Sequence, residues 1–461
     1  MLKHTGHAFA RMFSEVGSVL HCGHGEEHVE FNSLGAHRGQ LDLHTGEKPY
    51  RGNMLHNDNH ILVSHAGSLP RSEQLIEANA ARQFAEDGYT LQRNEAFEAL
   101  ESAAVDEVVR HQREVGIDIP NDGEYGKAMS SPVDYGAWWN YIAQRVGGLR
   151  IADTDPFDAA PVRSTPGHLQ YTTFLDRRDW TRFRDVYTDP NGAILAGKTA
   201  TAYPSVVGPI TYIGQDAVAE DIRNLKAALT GEGVGTGFIT AVSPGSAARM
   251  GNEYYGSDEE LLFAWADALH EEYKAITDAG LELQIDDPSI AEGFDQINPE
   301  PSIDDYLKFI QPRIDAMNYA LKGIPEEQVR FHVCWGSWHG PHTTDIPFEA
   351  IIDKVLQINA GGYTFEAANV RHEHEWRVWE DHKLPEGKVI IPGVVTHSTN
   401  VIEHPRLVAD RIERFASLVG KENVIASTDC GLGGRVHPHI AWAKLDTLAK
   451  GAALASEELW G

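Results

Sequence analysis

His332 and Cys334 stand two residues apart in the apolar run VRFHVCW (329–335), and Cys430 directly follows a second run, NVIASTD (423–429). Alternate residues of a β-strand point to the same face, so a His-x-Cys pair at a strand end can grip one ion. Cys430 adds a third soft or borderline donor, and Glu366, near the end of GYTFEA (362–367), offers a fourth. One imidazole, two thiolates and a carboxylate fit tetrahedral Zn2+, whereas magnesium and calcium take oxygen. Two thiolates also donate charge to the metal. A substrate thiol bound there would lose its proton yet stay nucleophilic, which is chemistry for alkylating sulfur. Glu366, the weakest ligand, would leave when that thiolate arrives. A lone buried Cys is usually a small apolar filler, and a lone His-x-Cys is a weak signal. Zinc is the preferred reading because all four fall at strand ends.

Other reactive residues also fall at strand ends. His397 lies just past KVIIPGVV (388–395), and its ordinary pKa near neutrality suits proton transfer. Glu124 follows IDIPNDG (117–123), while Asp286 and Asp287 end LELQIDD (281–287). Ser68 follows ILVSHAG (61–67), and Trp335, at the end of VRFHVCW (329–335), is expected to contact substrate. Glu124 and Asp286 put two acids on this rim, whose sign nearby Arg71 or Lys127 could reverse. His339, His342, His372 and His374 read as surface or pocket-lining histidines rather than ligands. No GxGxxG or GxxxxGK[ST] sequence stands between a strand and a helix, and GEGVGTG (231–237) reads as a loop.

The elements that would position these groups repeat. Eight strands are expected: 61–67, 117–123, 201–210, 281–287, 329–335, 362–367, 388–395 and 423–429. A helical stretch separates most of them. In 93–116, Phe97, Leu100, Ala104 and Val108 share a face and Gly116 sits where a C-terminal cap is wanted; 408–420 closes on Leu418 and Gly420. Strand and helix in alternation spell an α/β fold, a (β/α)8 TIM barrel whose active face is the C-terminal rim of its strands. The barrel occupies residues 59–461, with an insertion at about 128–199 read as a helical excursion plus a hairpin. The insertion carries Trp138, Trp139 and Tyr141, and an aromatic, charged stretch from Phe174 to Tyr187.

Residues 1–58 are histidine-rich and lack apolar periodicity, which reads as an irregular, partly flexible or oligomer-contacting arm. HTGEKPYRGN (His44 to Asn53) imitates a zinc-finger linker, but Cys22 alone cannot make a finger. The chain has 461 residues and a formal charge of −29, with 39 Lys+Arg against 68 Asp+Glu. Such a charge disfavours nucleic acid and anionic membranes as partners. Three cysteines exclude a disulfide scaffold, and no apolar run reaches the roughly 20 residues that span a bilayer. A cytoplasmic enzyme is expected, with the arm and Trp-rich loops consistent with a homo-oligomer.

The barrel, residues 60–461, resembles the catalytic half of the cobalamin-independent methionine synthases and the related epoxyalkane:coenzyme M transferases. The likeness is carried by His332-x-Cys334, YTFEA with Glu366, and TDCGLG with Cys430, which match the family's zinc ligands in identity, order and strand position. It implies a methionine synthase/uroporphyrinogen decarboxylase-like barrel with Zn2+ as cofactor. It also implies transfer of a methyl or alkyl group from an electrophilic donor to a small-molecule thiol. By the same likeness His397 shuttles protons, Glu124 and Asp286 hold a homocysteine amino group, and Gly67-Ser68 receives its carboxylate. Two departures stand out: the duplicated N-terminal barrel of long methionine synthases is absent from this sequence, and Asp287 replaces the usual Glu. Segments such as HVCWGSWHGPHTTDIP and EAANVRHEHEW point to the short branch that includes the coenzyme M transferases. Thiol addition to an epoxide and zinc-dependent ether cleavage of an aromatic substrate are the alternative reactions. Trp138, Trp139, Trp335 and Trp338 favour the latter, and a purely structural zinc site is the non-enzymatic alternative.

Overall fold

Strands covered on both faces are buried along nearly their whole length, and the central strands of this chain are, with Glu282, Gln284 and Arg330 buried among their apolar residues. The computed structural model describes residues 56–86, 90–92, 94–127, 141–151, 160–189 and 204–461, all in a compact unit that begins at Lys48. The expected N-terminal arm, with Cys22, therefore lies almost wholly outside the described residues, as do Trp138 and Trp139. The strands are β1 (Val146–Ile151), β2 (Pro204–Tyr212), β3 (Phe238–Val242), β4 (Gly251–Asn252), β5 (Glu282–Asp287), β6 (Val329–Val333), β7 (Gly362–Phe365), β8 (Val389–Val395) and β9 (Ser427–Thr428). Six of them form one parallel sheet in the order β3-β5-β6-β7-β8-β9.

Two extended segments close this sheet into a ring. Val63 bridges Ala426 beside β9, Ile119 donates its N–H to Val63 O (3.1 Å), and Asn121 bridges Phe238 at the start of β3. The eight-membered parallel barrel expected from the sequence is thus present. Its interior is packed, partly with polar groups. Arg330, fully buried, donates to Ser64 Oγ (2.9 Å) and lies 4.0 Å over the Phe238 ring.

The third barrel strand differs from expectation. It is β3, five residues with none exposed, whereas 201–210 falls largely in β2, which pairs antiparallel with β1 outside the barrel. Along β2 buried and exposed residues mix, and it contains Pro204 and Pro209. Proline removes a ladder donor and is confined to edges and strand ends, so such a run suits a peripheral sheet. The described part of the insertion otherwise holds a short 3-10 turn (Phe174–Asp176) and two short helices, Arg178–Arg182 and Arg184–Thr188.

The outer helices follow their sequence signals. Helix Pro405–Val419 starts on a proline, which lacks the N–H that would go unused there, and ends at Gly420 with φ 91°. Its buried face (Val408, Ile412, Phe415) meets helix Pro438–Trp460 where Gly451 leaves room, since a Cβ there would lie 2.4 Å from Val408. Helix Glu95–Glu114 is capped by Asn94, whose side chain accepts from the N–H groups of Ala96 and Phe97. It buries Phe97, Val105, Val108 and Val109, with Leu100 and Ala104 partly covered. Among the described residues no helix is long and apolar enough to cross a membrane.

Candidate metal centre and thiol pocket

Strand β6 places His332 opposite Asp286 of β5 and Thr364 of β7, and strand alternation sends Cys334 to the same side. Cys430 arrives from the loop after β9. One ligand atom from each of His332, Cys334 and Cys430 lies within 4.8 Å of the others, with His332 and Cys334 buried. His332 Nδ1 is 2.9 Å from Asp286 Oδ1, while its Nε2 is buried with no hydrogen-bond partner among the described residues. A carboxylate behind one ring nitrogen and a bare second nitrogen in front is the arrangement of a metal-binding imidazole.

The electrostatics without an ion agree. Burial is the largest single influence on His332 and opposes a charge, but the hydrogen bond to Asp286 together with the charges of Asp286, Cys430 and Glu366 outweighs it and raises the imidazole to about 9. Hydrogen bonding between the two thiols lowers Cys430 to about 6 and raises Cys334 well above the ordinary thiol value. The cluster thus already holds one sulfur close to thiolate. Two sulfurs and a bare imidazole nitrogen fit zinc, a thiophilic cation, and not a hard one.

Glu366 is not in that trio. It is grouped within 4.8 Å with His397 and Asp429, all three buried. Its oxygens accept from Trp335 N–H (3.3 Å) and Asn369 Nδ2 (2.7 Å), and burial raises its carboxyl to about 8. Asp429 accepts from the N–H groups of Ala367 (2.7 Å) and Ala368 (2.8 Å). His397 is held well below its ordinary value by burial, then by Arg435 and His339, so its imidazole is neutral; its Nδ1 has no hydrogen-bond partner among the described residues.

Gly67 and Ser68 dock on the loop that carries Cys430: Leu432 and Gly433 both donate N–H to Ser68 O at 2.9 Å. Glu124 holds a left-handed backbone (φ 62°), which an L-residue adopts at a cost and mostly where geometry is functional. Its Oε1 accepts from Thr240 Oγ1 (2.8 Å) and lies 3.6 Å from the buried Lys127 ammonium, which also bonds Thr240. Arg71 donates to Glu124 O and Lys127 O. A Cβ on Gly67, whose φ is +125°, would sit 2.5 Å from Glu124 Oε1, so only glycine admits this carboxylate. Thr240 is a member of this pocket that sequence reasoning missed, because it belongs to the unrecognised third strand.

Trp335, expected to contact substrate, has another role, and Asp287 faces away from the site. Trp335 has no exposed side-chain surface: its indole N–H donates to Ile346 O (2.8 Å) and its ring packs edge-on against Phe348. It reaches the site through its backbone N–H only. Asp287 points away from Asp286, as alternation demands, and its Oδ1 accepts from Ser289 N–H (2.8 Å) and Ser246 Oγ (3.1 Å). Trp338 stacks on His342 at 4.3 Å and donates to Tyr187 OH (2.9 Å), tying the loop after β6 to the insertion.

Beside Glu366 the loop histidines make a buried ionic chain. His342 Nδ1 is 3.0 Å from Asp345, His372 Nε2 3.1 Å from the same oxygen, and His372 Nδ1 2.8 Å from Glu375. These contacts overcome burial and raise His342 to about 9 and His372 to about 10, and lower Asp345 to about 2. Neither histidine is in the metal trio. His339 instead lines a cavity near His397.

Residues 183–453 match the family described as the cobalamin-independent synthase catalytic domain. The methionine synthase of Thermococcus kodakarensis is 24% identical over 397 residues, covering 85% of this chain and 93% of its own length. That of Sulfolobus acidocaldarius is 25% identical over 397 residues, covering 85% and 91%. Among solved structures, a B12-independent methionine synthase from Shewanella sp. W3-18-1 in complex with selenomethionine superposes with a TM-score of 0.61 at 20% identity, covering 87% of this chain and 99% of that one, which shows a shared fold. With the match spanning more than half of the chain and including the His-x-Cys strand and the Cys430 loop, this protein belongs to the cobalamin-independent synthase catalytic-domain family.

Proposed function

We propose that the protein is a zinc-dependent methyltransferase that methylates a small amino-acid thiol of the homocysteine type. The observation that carries this reading is the convergence of His332, Cys334 and Cys430, with the bare Nε2 of His332 aimed away from Asp286. Those three residues would hold the ion, with Glu366 as the displaceable fourth ligand. Bound there, zinc supplies a lowered thiol pKa, so that the substrate sulfur is deprotonated near neutral pH.

The chain's own residues do the rest. Glu124 and Asp286 take the substrate ammonium, and the Gly67-Ser68 turn takes its carboxylate. Lys127 beside Glu124 gives the pocket both signs, which matches a zwitterion better than a lone cation. In the reaction a sulfur–carbon bond forms as the bond from the methyl group to the donor's nitrogen or oxygen breaks. The proton given up by the thiol ends on that leaving atom. His397, buried and neutral, relays it through Nδ1, which has no hydrogen-bond partner among the described residues. The barrel from residue 59 onward carries all of these groups, and residues 1–58 are a separate arm in this reading. Epoxide addition and ether cleavage lose ground, since the relatives are methionine synthases and Trp335 is sequestered in the core.

The test is methyl transfer by the zinc-loaded chain to homocysteine, coenzyme M and other thiols. Methylfolate with one and three glutamates would serve as the first donors, and products would be identified by mass. Methionine formation that Cys334→Ser abolishes is expected. A Cys334→Ser chain that keeps full zinc and full activity overturns the reading, and turnover of an epoxide or ether instead replaces it.

A further inference from the structure

A carboxylate that serves as the displaceable ligand of a buried ion needs a place to go. Inside a protein it keeps its charge only where hydrogen-bond donors meet it. Glu366 directly follows β7 and is buried. Two donors reach it: the Trp335 N–H on Oε1 at 3.3 Å and Asn369 Nδ2 on Oε2 at 2.7 Å. The second is the shorter, and Asn369 is itself buried.

The Asn369 amide has one orientation open to it. Its Oδ1 accepts from the backbone N–H groups of Arg371 (3.0 Å) and His372 (3.1 Å). The NH2 therefore faces the other way, toward Glu366 Oε2 and Asp429 Oδ2 (3.2 Å). Asp429 is fixed in turn by the N–H groups of Ala367 and Ala368, and it stands next to Cys430 in sequence. One amide thus ties the loop that carries Glu366 to the loop that carries Cys430. Held in this way, Glu366 is grouped with His397 and Asp429 and stands outside the trio of His332, Cys334 and Cys430.

We propose that Asn369 is the positioning residue for ligand exchange at the metal centre: its amide receives the Glu366 carboxylate when the substrate thiolate takes the fourth place on zinc. The inference rests on the methyl-transfer reading above and adds the group that makes Glu366 displaceable. Asn369 touches neither the thiol nor the methyl group. It acts through Glu366, by stabilising the carboxylate away from the ion. The neighbouring Asp429 charge opposes that position, so the hydrogen bond also offsets a repulsion between like charges.

Two substitutions test the assignment. In Asn369→Ser the hydroxyl still accepts from the N–H groups of Arg371 and His372, as in a serine turn, but is too short to reach Glu366. Asn369→Asp keeps the shape and the Oδ1 acceptor and loses the donor. Homocysteine is titrated into the zinc-loaded chains, with zinc-edge X-ray absorption following the exchange of bound oxygen for sulfur. Both variants are expected to need roughly tenfold or more homocysteine for that exchange, since each loses one hydrogen bond to a charged group. Zinc affinity without thiol is expected not to fall. In a Glu366→Ala background there is no carboxylate to receive, so adding Asn369→Ser is expected to leave homocysteine affinity unchanged. Exchange at the parent's midpoint in both variants overturns the assignment. So does an equal loss of zinc and thiol affinity in both, or a loss that persists undiminished in the Glu366→Ala background; the methyl-transfer reading then stands. If the parent gains no sulfur from homocysteine, that reading fails and the inference falls with it.

Discussion

Replacing Asp286 by Asn is the most informative single change near the metal trio. The substitution keeps the size of the side chain and removes its charge, so the 2.9 Å contact to His332 Nδ1 becomes a neutral hydrogen bond. His332 is only 2% exposed, so no water restores what is lost. Charge-assisted bonds are roughly twice as strong as neutral ones, and loss of such a partner behind a metal-bound histidine costs about 10- to 100-fold in metal affinity. That is about 1.4–2.8 kcal/mol. The same carboxylate also secures a competing proton on the metal-free imidazole, whose pKa is about 9. The full loss is therefore expected in zinc competition against a chromophoric chelator above pH 9. Near pH 7 relief of that proton competition compresses it. Asp287→Asn is the control: its carboxylate faces Ser246 and Ser289, so it is expected to lower Tm without changing zinc affinity. Equal zinc affinity of Asp286→Asn and the parent above pH 9 would refute the orientation of His332 by this carboxylate.

Three further outcomes are expected. Gly67→Ala forces a Cβ into a φ of +125° and to within 2.5 Å of Glu124 Oε1. It should cost on the order of 1–3 kcal/mol in denaturant unfolding and raise the KM of the thiol. Glu124→Gln keeps the backbone and removes the charge; the KM of an amino-acid thiol should rise roughly 10- to 100-fold, and that of its des-amino analogue should not. The chain from His342 to Glu375 predicts a pH dependence of stability. Its histidines are raised from 6.5 to about 9 and 10, so their contribution is complete below pH 6.5 and lost as pH climbs through 9 to 10. Asp345, lowered from 3.8 to about 2, contributes above pH 3.8 and ceases to as pH falls through 2. Asp345→Asn should lower stability at pH 6 by on the order of 3 kcal/mol and flatten the fall in Tm between pH 7 and 10.

The trio could be read from the chain because a His-x-Cys pair survives any choice of strand ends. Period two alone puts both side chains on one face, and the loop after the last strand must return to the same rim. The third strand was harder. TAYPSVVGPI is rich in β-branched residues and FITAV is short, so local propensity favours the former. Two prolines inside it were the signal that it belongs outside a central sheet, whereas every residue of FITAV is buried. Thr240, and with it the clamp on Glu124, was lost with that strand. Trp335 was placed correctly in the chain, but which way an indole turns at a strand end depends on Phe348, 13 residues on. The pairing of His342 with Asp345 and His372 with Glu375 is visible as an i,i+3 spacing in each loop. Their joining through Asp345 needs the fold, which brings together residues 27 apart.

X-ray absorption at the zinc edge, on the loaded chain before and after homocysteine, tests the central claim most directly. The account predicts two sulfurs, one imidazole nitrogen and one oxygen, with a third sulfur replacing the oxygen once the thiol is added. A zinc environment of nitrogen and oxygen only, or one that no thiol alters, would contradict it.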